Sequence, residues 1–173
     1  MSWTIECLTS EAAPAAIPSL VDILIDCVDG GASVGFLAPL AVTKATAYWE
    51  GVTDSAIRGE RSLLVARDAG RAIHGTVQVI PALYENQPHR ADISKLLVHR
   101  AVRRTGAGDA LMRHGEKLAL ASGRTLLVLD TATPEAARLY ERLGWTAAGV
   151  IPNYALNPDR TLCDTTFYYK YLA

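Results

Sequence analysis

Three cysteines, two methionines and two phenylalanines are all that 173 residues contain of those types, and each scarcity removes a class of protein. Cys7, Cys27 and Cys163 are odd in number, far apart and free of any C-x-x-C spacing. Neither a disulfide framework nor a zinc site is expected from them, and a reducing cytoplasm is the compartment that fits. His74, His89, His99 and His114 share no ligand spacing, so no metal is expected. An excess of one charge is also missing. Seventeen basic residues against eighteen acidic give a net charge of −1, and no basic run supplies the footprint of a nucleic-acid binder. The most apolar stretch, IPSLVDILIDCV, is interrupted by Asp22 and Asp26, and no basic head precedes an apolar run, so neither a membrane span nor a secretory leader is expected. With no repeat, low-complexity tract or linker, the chain reads as one domain over residues 1–173, long enough to bury roughly 70% of its extended surface.

What is present is a succession of strand and helix patterns. Residues 3–9 alternate in the period-two manner of a half-buried strand. Pro14 and Pro18 then lead into a helix whose Leu20, Val21, Leu24, Ile25 and Val28 recur at helical spacing until Asp29-Gly30-Gly31. The small-residue stretch GASVGFLAPL reads as a mobile loop before a second helix over 43–57. RSLLVARD and RAIHGTVQVIPAL read as a hairpin turning at Ala69-Gly70, ADISKLLVH as a further strand, and DALMRHGEKLALASG as a helix. TLLVLDTA has the near-continuous apolar character of a strand buried on both faces. PEAARLYERLG is a short helix with Pro134 at its start and Gly144 at its stop, and TAAGVIPNY and TTFYYKYL close the chain as strands. This order predicts an α/β (α+β) domain on one mixed sheet. The aromatic FYYKYL is a candidate edge strand for a homodimer.

The sharpest chemical signal is Arg103-Arg104-Thr105-Gly106-Ala107-Gly108, between a strand and a helix. Two glycines two apart let successive N–H groups point outward at the positive end of a helix, where phosphate oxygens are held. The plain alternative is a turn beside a solvated arginine pair. A Walker loop is excluded, because Asp109 and Ala110 follow Gly108 where Lys and Ser/Thr belong. A dinucleotide fingerprint finds an acid, Asp130, about 20 residues on, but Leu111 stands where its third glycine belongs.

A longer span carries a more specific signal. KLLVHRAVRRTGAGDALMRHGEKLA followed by LLVLDTATPEAARLYERLGWTAAG resembles the core of the GNAT N-acetyltransferase superfamily. Arg103, Gly106 and Gly108 match its Arg/Gln-x-x-Gly-x-Gly/Ala signature, and Leu139-Tyr140-Glu141-Arg142-Leu143-Gly144-Trp145 its terminal aromatic motif. GASVGFLAPLAVTKATAYWEGV and VIPNYALNPDRTLCDTTFYYKYL are further similar to the tabtoxin-resistance type, which acetylates an amino-acid-like toxin. The resemblance implies a GNAT-like single domain with a mixed, mostly antiparallel sheet, flanked by helices and splayed between its fourth and fifth strands. It implies acetyl-CoA as co-substrate, its pyrophosphate on the backbone amides of Arg103, Arg104, Thr105, Gly106, Ala107 and Gly108. The pantetheine arm would pair with Leu96, Leu97 and Val98, at a bulge whose free N–H groups polarise the thioester carbonyl. Thr133 stands where many members carry Asn.

The transfer of acetyl to an amine needs a neutral nitrogen and a proton for the departing thiolate. Tyr140, by the family match, is the candidate acid; the alternative is a packing role on a short helix. Asp130 and Asp92 are the candidate bases, because the resemblance makes their strands parallel neighbours facing one cleft. An acid ending an apolar strand needs a partner, and capping the next turn is Asp130's other possibility. Phe36, Trp49 and Tyr154 are candidate acceptor-binding residues, Trp49 equally a core residue. Cys27 has no basic neighbour in the sequence and reads as inert. The expected activity is acetyl transfer to a small-molecule amine in a ternary complex. A non-catalytic acyl-CoA sensor is the alternative, and neither nucleic acid nor membrane is an expected partner.

Overall fold

The computed structural model describes residues 2–173. In chain order the elements are β1 (Thr4–Cys7), α1 (Ala13–Asp29), α2 (Val42–Ile57), β2 (Ser62–Arg67), β3 (Ile73–Pro81), β4 (Arg90–Val98), a 3-10 turn (Arg100–Val102), α3 (Ala107–Ala121), β5 (Leu126–Thr131), α4 (Pro134–Arg142), β6 (Thr146–Leu156) and β7 (Leu162–Tyr171). The strands form one seven-stranded sheet in the order β1-β2-β3-β4-β5-β7-β6. Every neighbouring pair is antiparallel except β4–β5, which is parallel. The expected α+β sheet with one parallel junction is therefore the observed one.

Helices cover both faces. On one, α1 and α2 bury Leu20, Leu24 and Trp49 against Leu63, Val65 and Leu97. On the other, α3 and α4 bury Leu111, Met112 and Tyr140 against Leu64, Val77, Ile93 and Leu127. The alternation of Leu63 and Val65 with Leu64 and Ala66 between the two cores makes β2 a strand buried on both faces. The strand expected to have that character, β5, does not: Leu127 and Leu129 are buried, but Val128 is half-buried and Asp130 exposed. The reason is coverage, since α1 and α2 lie over β2, β3 and β4 and stop short of β5.

Three further expectations are corrected. Helix α1 begins at Ala13 and takes in both prolines. Pro14 sits in the first turn, where no N–H partner is needed, and Pro18 lies on the solvent side, where the carbonyl it leaves unbonded stays open to water. FYYKYL is not an edge: β7 runs between β5 and β6, and β6 is the edge strand. Helix α3 starts at Ala107, so Gly108 belongs to its first turn.

Two contacts fix the outer parts of the sheet. Glu116 of α3 accepts from the Trp145 indole at 2.8 Å and from Lys170 Nζ at 2.7 Å, and Lys170 also donates to the Leu143 carbonyl at 2.7 Å. This ties the turn at Gly144 (φ +81°) to the helix beneath it. The tip of the β6–β7 hairpin meets the α1–α2 loop, where the Ala38 N–H donates to the Pro158 carbonyl at 3.0 Å and Ser33 Oγ to the Leu156 carbonyl at 3.1 Å. No helix among the described residues is long and apolar enough to cross a membrane.

Candidate active site

The parallel junction is short. Arg90, Ala91 and Asp92 pair with Leu126, Leu127 and Val128, and pairing stops there, although β4 continues to Val98 and β5 to Thr131. Beyond Asp92 the two strands splay and the β4 edge is left without a strand partner. On its other side β4 carries a bulge. Between the pairs Gln78↔Ser94 and Thr76↔Leu97, β3 advances two residues and β4 three. Lys95 takes up the extra residue in the left-handed region, at φ +52°. The alternation changes phase there: Ala91 and Ile93 face the α3 core, whereas past the bulge Leu96 and Val98 take that side and Leu97 turns to the α1–α2 core.

The glycine loop lies at the end of this free edge. Gly106 is the residue before the first turn of α3, at φ +93° and ψ 0°, and no side chain caps that turn. A Cβ on Gly106 would meet nothing within 4 Å, whereas one on Gly108 would come 3.3 Å from Leu139 Cδ2. Loop carbonyls are occupied from behind. Thr105's accepts from the Trp3 indole at 3.1 Å, Val102's from the Thr105 hydroxyl at 2.6 Å, and Gly106's from the Ala110 N–H at 3.0 Å. The N–H groups at the start of α3 are left outward, which is the arrangement an anionic pyrophosphate fits. Arg103 turns back instead of outward: its guanidinium donates to the Val98 carbonyl at 3.3 Å and lies 3.9 Å from Cys27 Sγ. Cys27 thus has the basic neighbour that the sequence did not reveal. Burial nevertheless pushes its thiol above the ordinary range, with Arg103 only opposing the shift, so it stays a thiol. Arg104 is exposed.

The charge of Asp130 reaches Tyr140 beside the splay. Tyr140 is 5% exposed, with its ring centroid 6.0 Å from that of Trp145 and 5.8 Å from that of Tyr168. Burial, then the nearby Asp130 charge, holds its phenol well above the usual value. Asp130 is exposed, yet crowding by protein atoms raises its carboxyl; Lys95 and the Thr165 hydroxyl oppose that rise, and Asp92 adds to it. The capping role for Asp130 is not observed, because the Thr133 N–H donates to Thr131 Oγ1 at 3.2 Å. The Thr133 hydroxyl lies 3.5 Å from the same oxygen. Asp92 is engaged by Arg90 at 2.8 Å.

Of the three aromatic candidates, Trp49 is overturned. It is 0% exposed in the α1–α2 core, reached by a buried stripe with Ala45 and Val52, and it lines no cleft. Phe36 is half-buried, edge-on to Tyr48 at 5.2 Å. Tyr154 is exposed and edge-on to Phe167 at 5.6 Å, and Phe167 stands opposite Asp130 in the β5–β7 ladder. The sequence reading missed Lys95, Phe167 and Trp3. Lys95 had a detectable signal, the break in alternation along ADISKLLV; the other two depend on strand order and long-range contact.

Solved structures share this architecture. An N-acetyltransferase from Staphylococcus aureus Mu50 is 18% identical, with 100% of both chains covered and a TM-score of 0.81. A phosphinothricin acetyltransferase from Sinorhizobium meliloti, solved in complex with acetyl-CoA, is 20% identical over 100% of this chain and 90% of its own, at 0.82. A ribosomal-protein-alanine N-acetyltransferase from Brucella melitensis is 20% identical over 98% and 99%, at 0.78. These likenesses are of fold, and the named acceptors differ. In sequence, residues 59–147, from just before β2 through the glycine loop to the start of β6, match the acetyltransferase (GNAT) domain, and the chain belongs to that family of acetyltransferases.

Proposed function

We propose that residues 1–173 act as a single N-acetyltransferase domain that moves the acetyl group of acetyl-CoA directly to the amine of a small molecule. The acceptor in this reading is amino-acid-like, and a toxin of that class, as in the tabtoxin-resistance type, is the finest form of it. The observation that carries the proposal is the opening between β4 and β5, onto which the free edge of β4, the buried phenol of Tyr140 and the carboxyl of Asp130 converge.

Bound acetyl-CoA supplies the activated acyl group. The amides from Arg104 to Gly108 hold its pyrophosphate, that of Arg103 being taken by the Arg100 carbonyl, and the stretch Leu96, Leu97 and Val98 offers an edge without a strand partner to an extended arm, with Thr133 beside it. Asp130 orients the acceptor's ammonium and takes its proton directly or through a water, and its raised carboxyl makes it a better base than an ordinary surface aspartate. Asp92 adds negative charge but is already partnered by Arg90. At rest Tyr140 keeps its proton throughout the physiological range, so that proton is available to the departing thiolate. The phenol faces the departing sulfur as a neutral donor, which stabilises developing thiolate charge in a dry surround. Phe36 and Tyr154 flank the acceptor side.

The test is to titrate the protein with acetyl-CoA and then follow free-thiol release with a panel of amines. Saturable binding and amine-dependent thiol release are expected. Binding without release from any amine would replace the enzyme reading by an acyl-CoA sensor.

A further inference from the structure

Lys95 is the residue at which the cleft's electrostatics change sign. It is placed by the bulge, with backbone in the left-handed region at φ +52°, a conformation that a non-glycine residue keeps only where its surroundings demand it. Its Nζ lies 5.9 Å from the Tyr48 ring centroid and 3.8 Å from where a Cβ on Gly35 would stand. That sets it under the α1–α2 loop, on the wall facing Asp130. Among the described residues no carboxylate comes within 4.0 Å of it. Burial pushes its ammonium below the usual lysine range; the Asp130 charge opposes that shift and the Arg61 charge adds to it. Arg61 reaches the same wall through a chain of contacts, donating to Gln78 Oε1 at 2.8 Å while Gln78 donates to the Tyr48 hydroxyl at 3.2 Å. A second ammonium, that of Lys44, lies 5.8 Å from the centroid of Phe36, the ring that abuts Tyr48.

The cleft thus has a carboxylate wall at Asp130 and a cationic wall at Lys95, close enough to feel one another and too far apart to pair. A partly desolvated ammonium without a hydrogen-bonding anion is costly, and a molecule bearing both charges relieves both walls at once. We infer that Lys95 is the specificity-determining residue that receives the free carboxylate of an α-amino-acid acceptor while Asp130 receives its amine. This rests on the proposed transfer reaction and narrows its acceptor to zwitterions.

The experiment compares kcat/KM for L-amino acids with that for the corresponding carboxamides, using acetyl-CoA as donor. The unmodified protein should favour the acids at least tenfold. Lys95→Met should bring the acid-to-amide ratio to about 1, chiefly through KM of the acids, and Lys95→Arg should restore part of it. Acetyl-CoA affinity of Lys95→Met, measured by calorimetry, reports that the donor side is still assembled. Amides used as well as acids by the unmodified protein, or a preference that survives in Lys95→Met, overturns the assignment. If acetyl-CoA binds and neither set is acetylated, it is the transfer reaction itself that fails, and the carboxylate assignment falls with it.

Discussion

The indole of Trp3 donates to the carbonyl of Thr105 at 3.1 Å across 102 residues of sequence. The residue just ahead of β1 thereby braces the back of the glycine loop, and the loop's outward amides are held by a residue nowhere near the motif. Trp3→Phe keeps an aromatic ring and removes this donor. The expected loss is about 1 kcal/mol of stability, the usual net value of one hydrogen bond, with acetyl-CoA affinity falling roughly three- to tenfold because the loop is less preorganised. Urea unfolding and calorimetry measure the two. An unchanged affinity would mean the loop holds its shape unaided.

Gly106 and Gly108 differ in why they are glycine. Gly106 needs the left-handed backbone, although its Cβ would meet open space. Gly106→Ala should therefore cost about 1–2 kcal/mol in backbone strain alone and weaken acetyl-CoA binding about tenfold. Gly108→Ala instead presses on the flexible end of Leu139 and should be milder, while Gly108→Val, with more bulk beside the outward amides, should weaken binding at least tenfold. Acetyl-CoA titration of the three variants checks the order. Equal affinities would detach this loop from the donor.

Tyr140→Phe retains the ring packed on Trp145 and Tyr168. Its kcat should fall by about 10²-fold, in the range of general-acid contributions. Because the phenol is raised above its ordinary value of about 10, the folded protein holds this proton more tightly than the unfolded chain does. The resulting stability is intact below about pH 10 and is lost as pH climbs further, so the variant should lose less stability than the parent on alkaline unfolding. Full kcat with a chemistry-limited acceptor would assign the proton to solvent.

For Asp130 the raised carboxyl sets the acid side of the pH profile. The group is protonated, and useless as a base, up to a higher pH than an ordinary aspartate at about 3.9. In the unmodified protein kcat/KM for the amine should fall as pH drops through that raised value. Asp130→Asn should lower kcat/KM about 10²-fold or more near neutrality and remove this limb. The deficit should shrink toward the acceptor's own pKa, where free amine needs no base. A deficit that is constant with pH would make Asp130 a positioning residue.

Much of this was legible because it is local. The periodicity of α1, the stop at Gly144 and the two motifs each lie within a few adjacent residues, and the elements came in the predicted order. Asp130 stood out because a charge at the end of an apolar strand must have company. Non-local facts were not legible. β7 lies inside β6 because of how the last hairpin docks on β5, and nothing in FYYKYL announces that. β5 is open on one face because two helices end short of it. Lys95 reaches the cleft only because a bulge adds one residue to β4, and Trp49, aromatic and close in sequence to Tyr48, is turned inward by the helical stripe it shares with Ala45 and Val52.

The three-residue junction between β4 and β5 has a mechanical meaning. Among the described residues it is the only ladder joining the β1–β4 half of the sheet to the β5–β7 half, so opening fluctuations concentrate along it. An extended arm lying against the bare edge of β4 would serve as an extra rung. The donor would then be a folding ligand as well as a reactant, adding about 2.7 kcal/mol at a hundredfold excess over its Kd. In such a molecule the resting enzyme is the looser one, and the presence of its substrate sets how firmly its two halves are joined.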